Sequence, residues 1–230
     1  MSLTPDETTA IWLSLRIALA ATLVSLPLAI AAAHVLARRE FWGKSLLNGI
    51  IHLPLVLPPV VTGYLLLLTF GRKGVAGEFL DSCCGIVLSF RWTGAALAAG
   101  IMAFPLVVRA IRLSIEAVDP KLEAAAASLG APPFLRFLTV TLPLALPGVL
   151  AGAILGFAKA LGEFGATITF VSNIPGETRT IATAIYTNTQ SPNGDAAALR
   201  LTLIAVAIAI CALLLSELCA RRLARGAMDL

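Results

Sequence analysis

Charged residues are scarce in this sequence. Asp, Glu, Lys and Arg together make up 13% of the 230 residues, whereas hydrophobic residues make up 58%. A soluble domain carries roughly 25% charged residues, because a protein of this length exposes a large surface that charge helps to solvate. The shortage therefore excludes an ordinary soluble domain, a disordered chain and a coiled coil, and it indicates that the solvent of this protein is lipid.

Cysteines are also few, and their spacing is wrong for cross-links. Cys83 and Cys84 are adjacent, whereas Cys211 and Cys219 lie eight positions apart in an apolar run. In a helix the second pair would be separated by about 12 Å along the axis, which is too far for a disulfide. Because no C-x-x-C pair or His/Cys cluster occurs, we expect small apolar packing residues and no metal site.

Catalytic and nucleotide-binding motifs are missing as well. The sequence has no G-x-x-x-x-G-K-[ST] phosphate loop, and it has neither G-x-S-x-G nor H-E-x-x-H. We therefore predict that the chain is not an enzyme, has no catalytic residues and binds no cofactor. The net charge of +4 does not indicate a nucleic-acid partner, because basic residues beside membrane spans give the same sum.

Long apolar runs take the place of charge. Five of them are long enough, at 1.5 Å per residue, to cross a hydrocarbon core of about 30 Å as helices. They cover residues 17–37, 45–71, 92–108, 137–158 and 196–218. We therefore predict an all-α, polytopic transmembrane helical bundle of about five spans, forming a single domain over residues 1–230.

Two weaker segments could raise the number of spans to six. Residues 75–90 are short and carry Glu78 and Asp81, and residues 164–189 are interrupted by Asn173 and Pro175. Both have too little uninterrupted apolar length to span. We interpret the first as a surface or re-entrant helix and expect the second to lie at one membrane face.

The basic residues predict how the chain lies in the membrane, because they favour the cytoplasmic side. With the turn at 38–44 inside, ten basic residues fall inside and five outside. The inner set is Arg38, Arg39, Lys44, Arg109, Arg112, Lys121, Arg136, Arg221, Arg222 and Arg225, and the outer set is Arg72, Lys73, Arg91, Arg179 and Arg200. We therefore predict an outside N-terminus and a cytoplasmic C-terminus.

The predicted cytoplasmic loop at 117–141 contains a short helix. Asp119 suits the N-cap and Pro120 the first helical position. Alanine is the best helix former, and Gly130 is a plausible stop. The small side chains would let this helix lie closely in a groove of another protein, or the helix simply connects two spans at the interface.

The same loop resembles a known family. Ala125-Ala126-x-x-x-Gly130, followed by Val140-x-Leu142-Pro143, resembles the EAA loop of binding-protein-dependent ABC importer permeases. The family glutamate directly precedes the two alanines, whereas here Glu123 stands one position earlier. The resemblance implies a type I ABC importer permease fold and a 120–143 loop that docks on a cytoplasmic ATPase. The implied coupling residues are Glu123, Ala125, Ala126, Gly130, Leu142 and Pro143.

Further stretches make the resemblance narrower. Residues 52–61, 104–112, 161–167 and 170–180 resemble molybdate permeases, and sulfate permeases share part of the pattern. The resemblance implies a multi-pass protein of the bacterial cytoplasmic (inner) membrane that moves molybdate. Its implied partners are a second permease copy in a homodimer, two ATP-binding subunits that hold ATP-Mg, and an extracytoplasmic molybdate-binding protein.

Other functions stay open beside this one. A sulfate or tungstate ABC permease is the nearest alternative. A self-sufficient secondary anion transporter is the alternative from a different class. Against it stands the lack of a clear inverted repeat and of a set of mid-span carboxylates.

Prolines, glycines and hydroxyls indicate a candidate translocation path or gate. Prolines free backbone carbonyls and kink helices, which is tolerated where protein or water satisfies them, although kinked packing alone is the alternative. Lys159 and Glu163, four apart near the outer end of the fourth span, either pair on one helix face or belong to an outer gate. Small and hydroxylated residues would hold an anion weakly or simply pack helices. The candidate residues are Pro58, Pro59, Gly162, Glu163, Gly165, Thr167 and Thr169.

Overall fold

A computed structural model describes the backbone of residues 3–228 and the side chains of residues 3–215, 217 and 218. Every regular element in this part of the chain is helical, so the all-α prediction is confirmed. Arg221, Arg222 and Arg225, which contributed to the predicted orientation, lie outside the described side chains, as does Cys219.

The helices follow one another with short connections. In chain order they are α1 (Pro5–Arg38), α2 (Lys44–Val56), α3 (Pro59–Phe70), α4 (Val75–Cys84), α5 (Trp92–Glu116), α6 (Pro120–Ser128), α7 (Pro133–Arg136), α8 (Leu142–Leu161), α9 (Gly165–Val171), α10 (Ile181–Thr189) and α11 (Asp195–Met228). A π-helical turn, Phe137–Thr141, joins α7 to α8.

Four of the predicted spans are long apolar helices in the described residues. They are α1, α5, the run Pro133–Leu161 through α8, and the Asp195–Leu215 part of α11. α1 begins twelve residues before the predicted span, because Thr4 and Glu7 form a capping box in which each side chain accepts the other's backbone N–H, at 3.3 and 2.7 Å.

The second predicted span is broken at its prolines, which is a sharper interruption than the predicted kink. The chain bends by 113° between α2 and α3. The two helices therefore make a fifth crossing only if they are counted together as one broken span. Leu57 and Pro58 both adopt extended backbone, with ψ of 141° and 133°. Each precedes a proline, which disfavours helical backbone, and two such residues in succession end the helix.

α5 lies at the centre of the bundle between α1 and α8. It runs antiparallel to α8, and glycines of α8 allow the close approach. A Cβ added to Gly152 would lie 3.3 Å from Ile111, and one added to Gly156 would lie 2.6 Å from Val107. Val107 and Ile111 also pack against α1 in a buried apolar cluster. These contacts fix the register of α5 against α8.

Two polar contacts between helices define the ends of the bundle. At one end, here called the Glu7 end, Arg200 Nη2 donates to Glu7 Oε1 at 2.7 Å. At the opposite end, here called the Glu123 end, Arg38 Nε donates to Glu123 Oε1 at 2.9 Å. The start of α1 and the α6 loop therefore lie at opposite ends of the bundle.

Candidate coupling surface and translocation path

The short helix α6 begins and ends where the sequence predicts. Asp119 Oδ1 accepts the N–H of Lys121 at 2.9 Å, which makes Asp119 the N-cap, and Pro120 is the first helical residue. Gly130 has φ +86°, a conformation that glycine adopts without strain. Local chemistry alone therefore sets both boundaries of α6.

α6 projects from the Glu123 end of the bundle with no buried residue. Glu123 and Ala126 are its only half-buried residues, and they mark the side that faces the bundle. The opposite side carries exposed residues with mostly small side chains, namely Lys121, Ala124, Ala125 and Ser128. We call these four residues the α6 outer face.

Large apolar side chains flank the α6 outer face. Leu129 is 87% exposed and Phe134 is 72% exposed. Beside a smooth helix face, such residues are suited to burial against a partner protein. Of the remaining predicted coupling residues, Leu142 and Pro143 form the first turn of α8 and do not belong to this face.

Glu123 points toward the bundle and away from the α6 outer face. Its Oε1 accepts hydrogen bonds from Arg38 Nε at 2.9 Å and from Thr141 Oγ1 at 2.8 Å. Arg38 Nη2 also donates to the carbonyl of Val118 at 2.8 Å. One carboxylate therefore ties α6 to the end of α1 and to the turn that leads into α8.

The candidate path residues gather where two helix breaks meet. The first break separates α2 from α3, and the second separates α8 from α9. A Cβ added to Gly165 would lie 2.7 Å from Pro59 Cβ, and one added to Gly63 would lie 2.6 Å from the carbonyl oxygen of Ala166. The structure thus brings the predicted residues Pro59 and Gly165 together, because α3 packs on α9 without intervening side chains.

Glu163 stabilises the second break. The residue is 3% exposed, its Oε1 accepts the N–H of Ala166 at 3.0 Å, and its Oε2 accepts a hydrogen bond from Lys159 Nζ at 3.0 Å. The carboxylate therefore satisfies a free N–H at the start of α9 and pairs with the last turn of α8. The structure therefore contains the predicted Lys159–Glu163 pair, and it places this pair beside the break between α8 and α9.

Lys159 lies deeper than the sequence indicates. Because Gly156 faces Val107, Lys159 is level with Phe104, which is twelve residues from each end of α5. Twelve residues of helix span about 18 Å, so Lys159 sits near the middle of the bundle. Lys159 is in the last turn of α8, as predicted for the end of the fourth span, but this turn is level with the middle of α5 and not with its end.

The physical reason is that α9 continues beyond α8 toward the start of α5. Val171 Cγ1 lies 2.9 Å from the position of a Cβ added to Gly94, in the first turn of α5. The 164–189 segment therefore does not lie wholly at one end of the bundle. α9 passes beside α5, and only the following α10 packs at the Glu7 end, where its first N–H donates to Ser14 Oγ at 2.7 Å.

The other candidate path residues are divided between exposed and buried positions. Pro58 and Gly162 are exposed. Thr169 Oγ1 donates to the carbonyl of Gly165 at 2.8 Å, and Thr167 is 1% exposed within this chain. Because Thr167 is buried, its side chain does not line an open surface of the single chain.

Sequence reasoning missed two residues that hold Glu123, and it named Lys159 only as the partner of Glu163 in a pair or an outer gate. Arg38 and Thr141 carry no local signal, since their role depends on α1, α6 and the π-helical turn meeting at Glu123. Lys159 had a readable signal, because a charge inside an apolar run marks a functional position by default.

Comparison with known proteins agrees with this geometry. The family model described as "Binding-protein-dependent transport system inner membrane component" matches residues 25–225. The chain is 57% identical over 221 residues to the molybdenum transport system permease protein ModB of Escherichia coli strain K12, covering 96% of each. It is 57% identical over 217 residues to ModB of Haemophilus influenzae, covering 94% of this chain and 95% of the relative.

A solved structure has the same fold at low identity. A bacterial ABC transporter involved in the import of the acidic polysaccharide alginate matches with a TM-score of 0.75 and 18% identity, covering 96% of this chain and 80% of that one. The resemblance to ABC importer permeases is thereby confirmed, and the chain belongs to the binding-protein-dependent transport system inner membrane component family.

Proposed function

We propose that this chain is the membrane-spanning subunit of an ATP-driven molybdate importer. Two relatives that are 57% identical over nearly the whole chain are named as molybdenum transport system permease proteins. In this proposal two copies form the path, and two cytoplasmic ATP-binding subunits hold ATP-Mg and drive it. An extracytoplasmic binding protein delivers the anion. Sulfate and tungstate are the alternative cargoes.

The observation that carries the coupling part of this proposal is the α6 outer face. A helix with no buried residue and mostly small exposed side chains can enter a cleft of another protein closely, and Leu129 and Phe134 would become buried beside it. Glu123 would then pass the movement of α6 to α1 and α8 through its hydrogen bonds. Interfaces that switch between two packed arrangements transmit small shifts in this way.

The Ala125→Asp variant tests the coupling role. Ala125 is exposed, so the carboxylate does not disturb the fold of this chain, but it would be buried without a partner in a docked complex, which is costly. The complete complex of permease, ATP-binding subunits and binding protein is reconstituted in proteoliposomes. We expect molybdate uptake and binding-protein-stimulated ATP hydrolysis to fall together by about tenfold or more.

A matched substitution at the other end of the molecule controls for charge and helix position. Ala196 is an exposed alanine in the first turn of α11, near the Glu7 end. Ala196→Asp should leave the association with the ATP-binding subunits unchanged. Normal uptake and ATP hydrolysis with Ala125→Asp would contradict the coupling role. Sulfate and tungstate competition in the same vesicles distinguishes the alternative cargoes.

We also propose that the Glu7 end faces the outside and the Glu123 end faces the cytoplasm. Cys83 and Cys84 are exposed and lie in α4, between α3 and the start of α5. A membrane-impermeant maleimide should therefore label intact spheroplasts at these cysteines, and a variant with both changed to serine should lose that label. Labelling that requires permeabilised membranes would reverse the proposed orientation.

A further inference from the structure

Lys159 lies on a side of α8 that this chain leaves uncovered. Leu155 is 39% exposed and Gly162 is exposed, and they stand four residues before and three residues after Lys159, on the same helix face. The Lys159 side chain itself is 34% exposed. An ammonium group near the middle of the bundle is thus open on one side, within one helical turn of the break between α8 and α9.

The ammonium has hydrogen-bonding capacity left over. A lysine carries three N–H donors, and within the described residues its only hydrogen-bond acceptor is Glu163 Oε2 at 3.0 Å. Glu163 is fully engaged by comparison, since its other oxygen accepts the N–H of Ala166. Lys159 can therefore donate to a further acceptor without giving up its ion pair.

A charge at this depth cannot face hydrocarbon without a large cost. Charged groups within membrane spans face the protein interior or a water-filled cavity. The open side of Lys159 is therefore assigned to a watery path. Such a path would run past α8, next to the break that Pro59 and Gly165 form together.

We infer that Lys159 is a contact point for the transported oxyanion, with Glu163 limiting how tightly the anion is held. This inference rests on the proposed function. The oxygens of a tetrahedral dianion accept hydrogen bonds from the free N–H donors of Lys159. The neighbouring carboxylate makes the pair neutral, which keeps the site weak, as conduction requires.

Three variants in the complete reconstituted complex separate this role from a structural ion pair. Lys159→Arg keeps the charge. Glu163→Gln removes the ion pair but leaves an oxygen that can accept the N–H of Ala166. The double variant Lys159→Met with Glu163→Gln removes both charges and keeps that acceptor. Thermal unfolding of each purified complex checks that the fold survives, and initial molybdate uptake is the readout.

If the cation contacts the anion, uptake by the double variant falls by about tenfold or more, the loss that accompanies removal of a hydrogen bond to a charged group. Lys159→Arg and Glu163→Gln then both transport faster than the double variant. If the pair is only structural, the neutral double variant transports within about twofold of the unchanged protein, a difference well below one hydrogen bond, and the inference is overturned.

Two further results are also decisive. A loss with Glu163→Gln as large as that of the double variant would assign the effect to Glu163 and overturn the inference. An unchanged complex that moves no molybdate would instead refute the proposed function itself, so the two failures are distinguishable.

Discussion

Glu123 and Glu163 both connect helical segments through hydrogen bonds, at different depths of the same bundle. Glu123 accepts two hydrogen bonds at the Glu123 end and joins α6 to α1 and the start of α8. Glu163 accepts two near the middle and joins the end of α8 to the start of α9. Each carboxylate holds an interruption in the helical chain together.

The cations beside them differ. Arg38 donates to Glu123 and to the carbonyl of Val118, and its side chain is 15% exposed. Lys159 donates only to Glu163 within the described structure, and its side chain is 34% exposed. The arginine is mostly buried and joins two segments of the fold, whereas the lysine has one acceptor and a more exposed side chain. This difference agrees with a structural role for Arg38 and with the proposed ligand contact for Lys159.

The largest effect that tests this comparison is the loss of the buried carboxylate. Glu163→Ala leaves the N–H of Ala166 without its acceptor at a buried position and removes the carboxylate that pairs with Lys159. Breaking a buried ion pair in this way costs about 3 kcal/mol or more. Glu123→Ala should cost about 1–3 kcal/mol, because the Glu123 side chain is 22% exposed and water can partly replace it.

Thermal unfolding of the purified complex measures both variants side by side. Glu123→Gln and Glu163→Gln serve as controls, since an amide oxygen can still accept hydrogen bonds at each position. If Glu123→Ala destabilises the complex more than Glu163→Ala does, burial is not what distinguishes the two sites.

A smaller loss of stability is expected when the close contact between α3 and α9 is disturbed. A Cβ on Gly63 would lie 2.6 Å from the carbonyl oxygen of Ala166, which is backbone and cannot move aside alone. Gly63→Ala should therefore separate α3 from α9 and destabilise the protein by about 1–3 kcal/mol. The matched control is Gly100→Ala in α5, where the added Cβ would meet Ala21 at 3.5 Å, an ordinary contact.

Gly100→Ala should be neutral or slightly stabilising, because alanine favours helix more than glycine does. Thermal unfolding and uptake are compared for the pair. Equal stability of the two variants would show that α3 and α9 are not held in close contact.

Two similar proline runs had different outcomes. The run at 53–59 and the run at 142–148 both predict kinked spans lining the interior. The first ends a helix at Leu57, and α2 buries only Ile51, so it does not lie inside this chain. The second stays helical through Pro147 and packs on α5 at Gly148, although Ala145 is the only fully buried residue of the run. Adjacent prolines at 58 and 59 make the difference, since each disfavours helical backbone at the residue before it and two such residues follow one another.

By itself, the sequence determined the lipid solvent, the helical class, the bounds of α6 and the family. These depend on composition and on local chemistry such as the Asp119 cap and the Gly130 turn. Only the tertiary structure decided the contacts of Glu123 and the depth of Lys159 in the bundle. The partners of Glu123 lie 85 and 18 positions away, and the depth of Lys159 follows from the register of α8 against α5. Contacts between distant segments set both, and no local pattern encodes them.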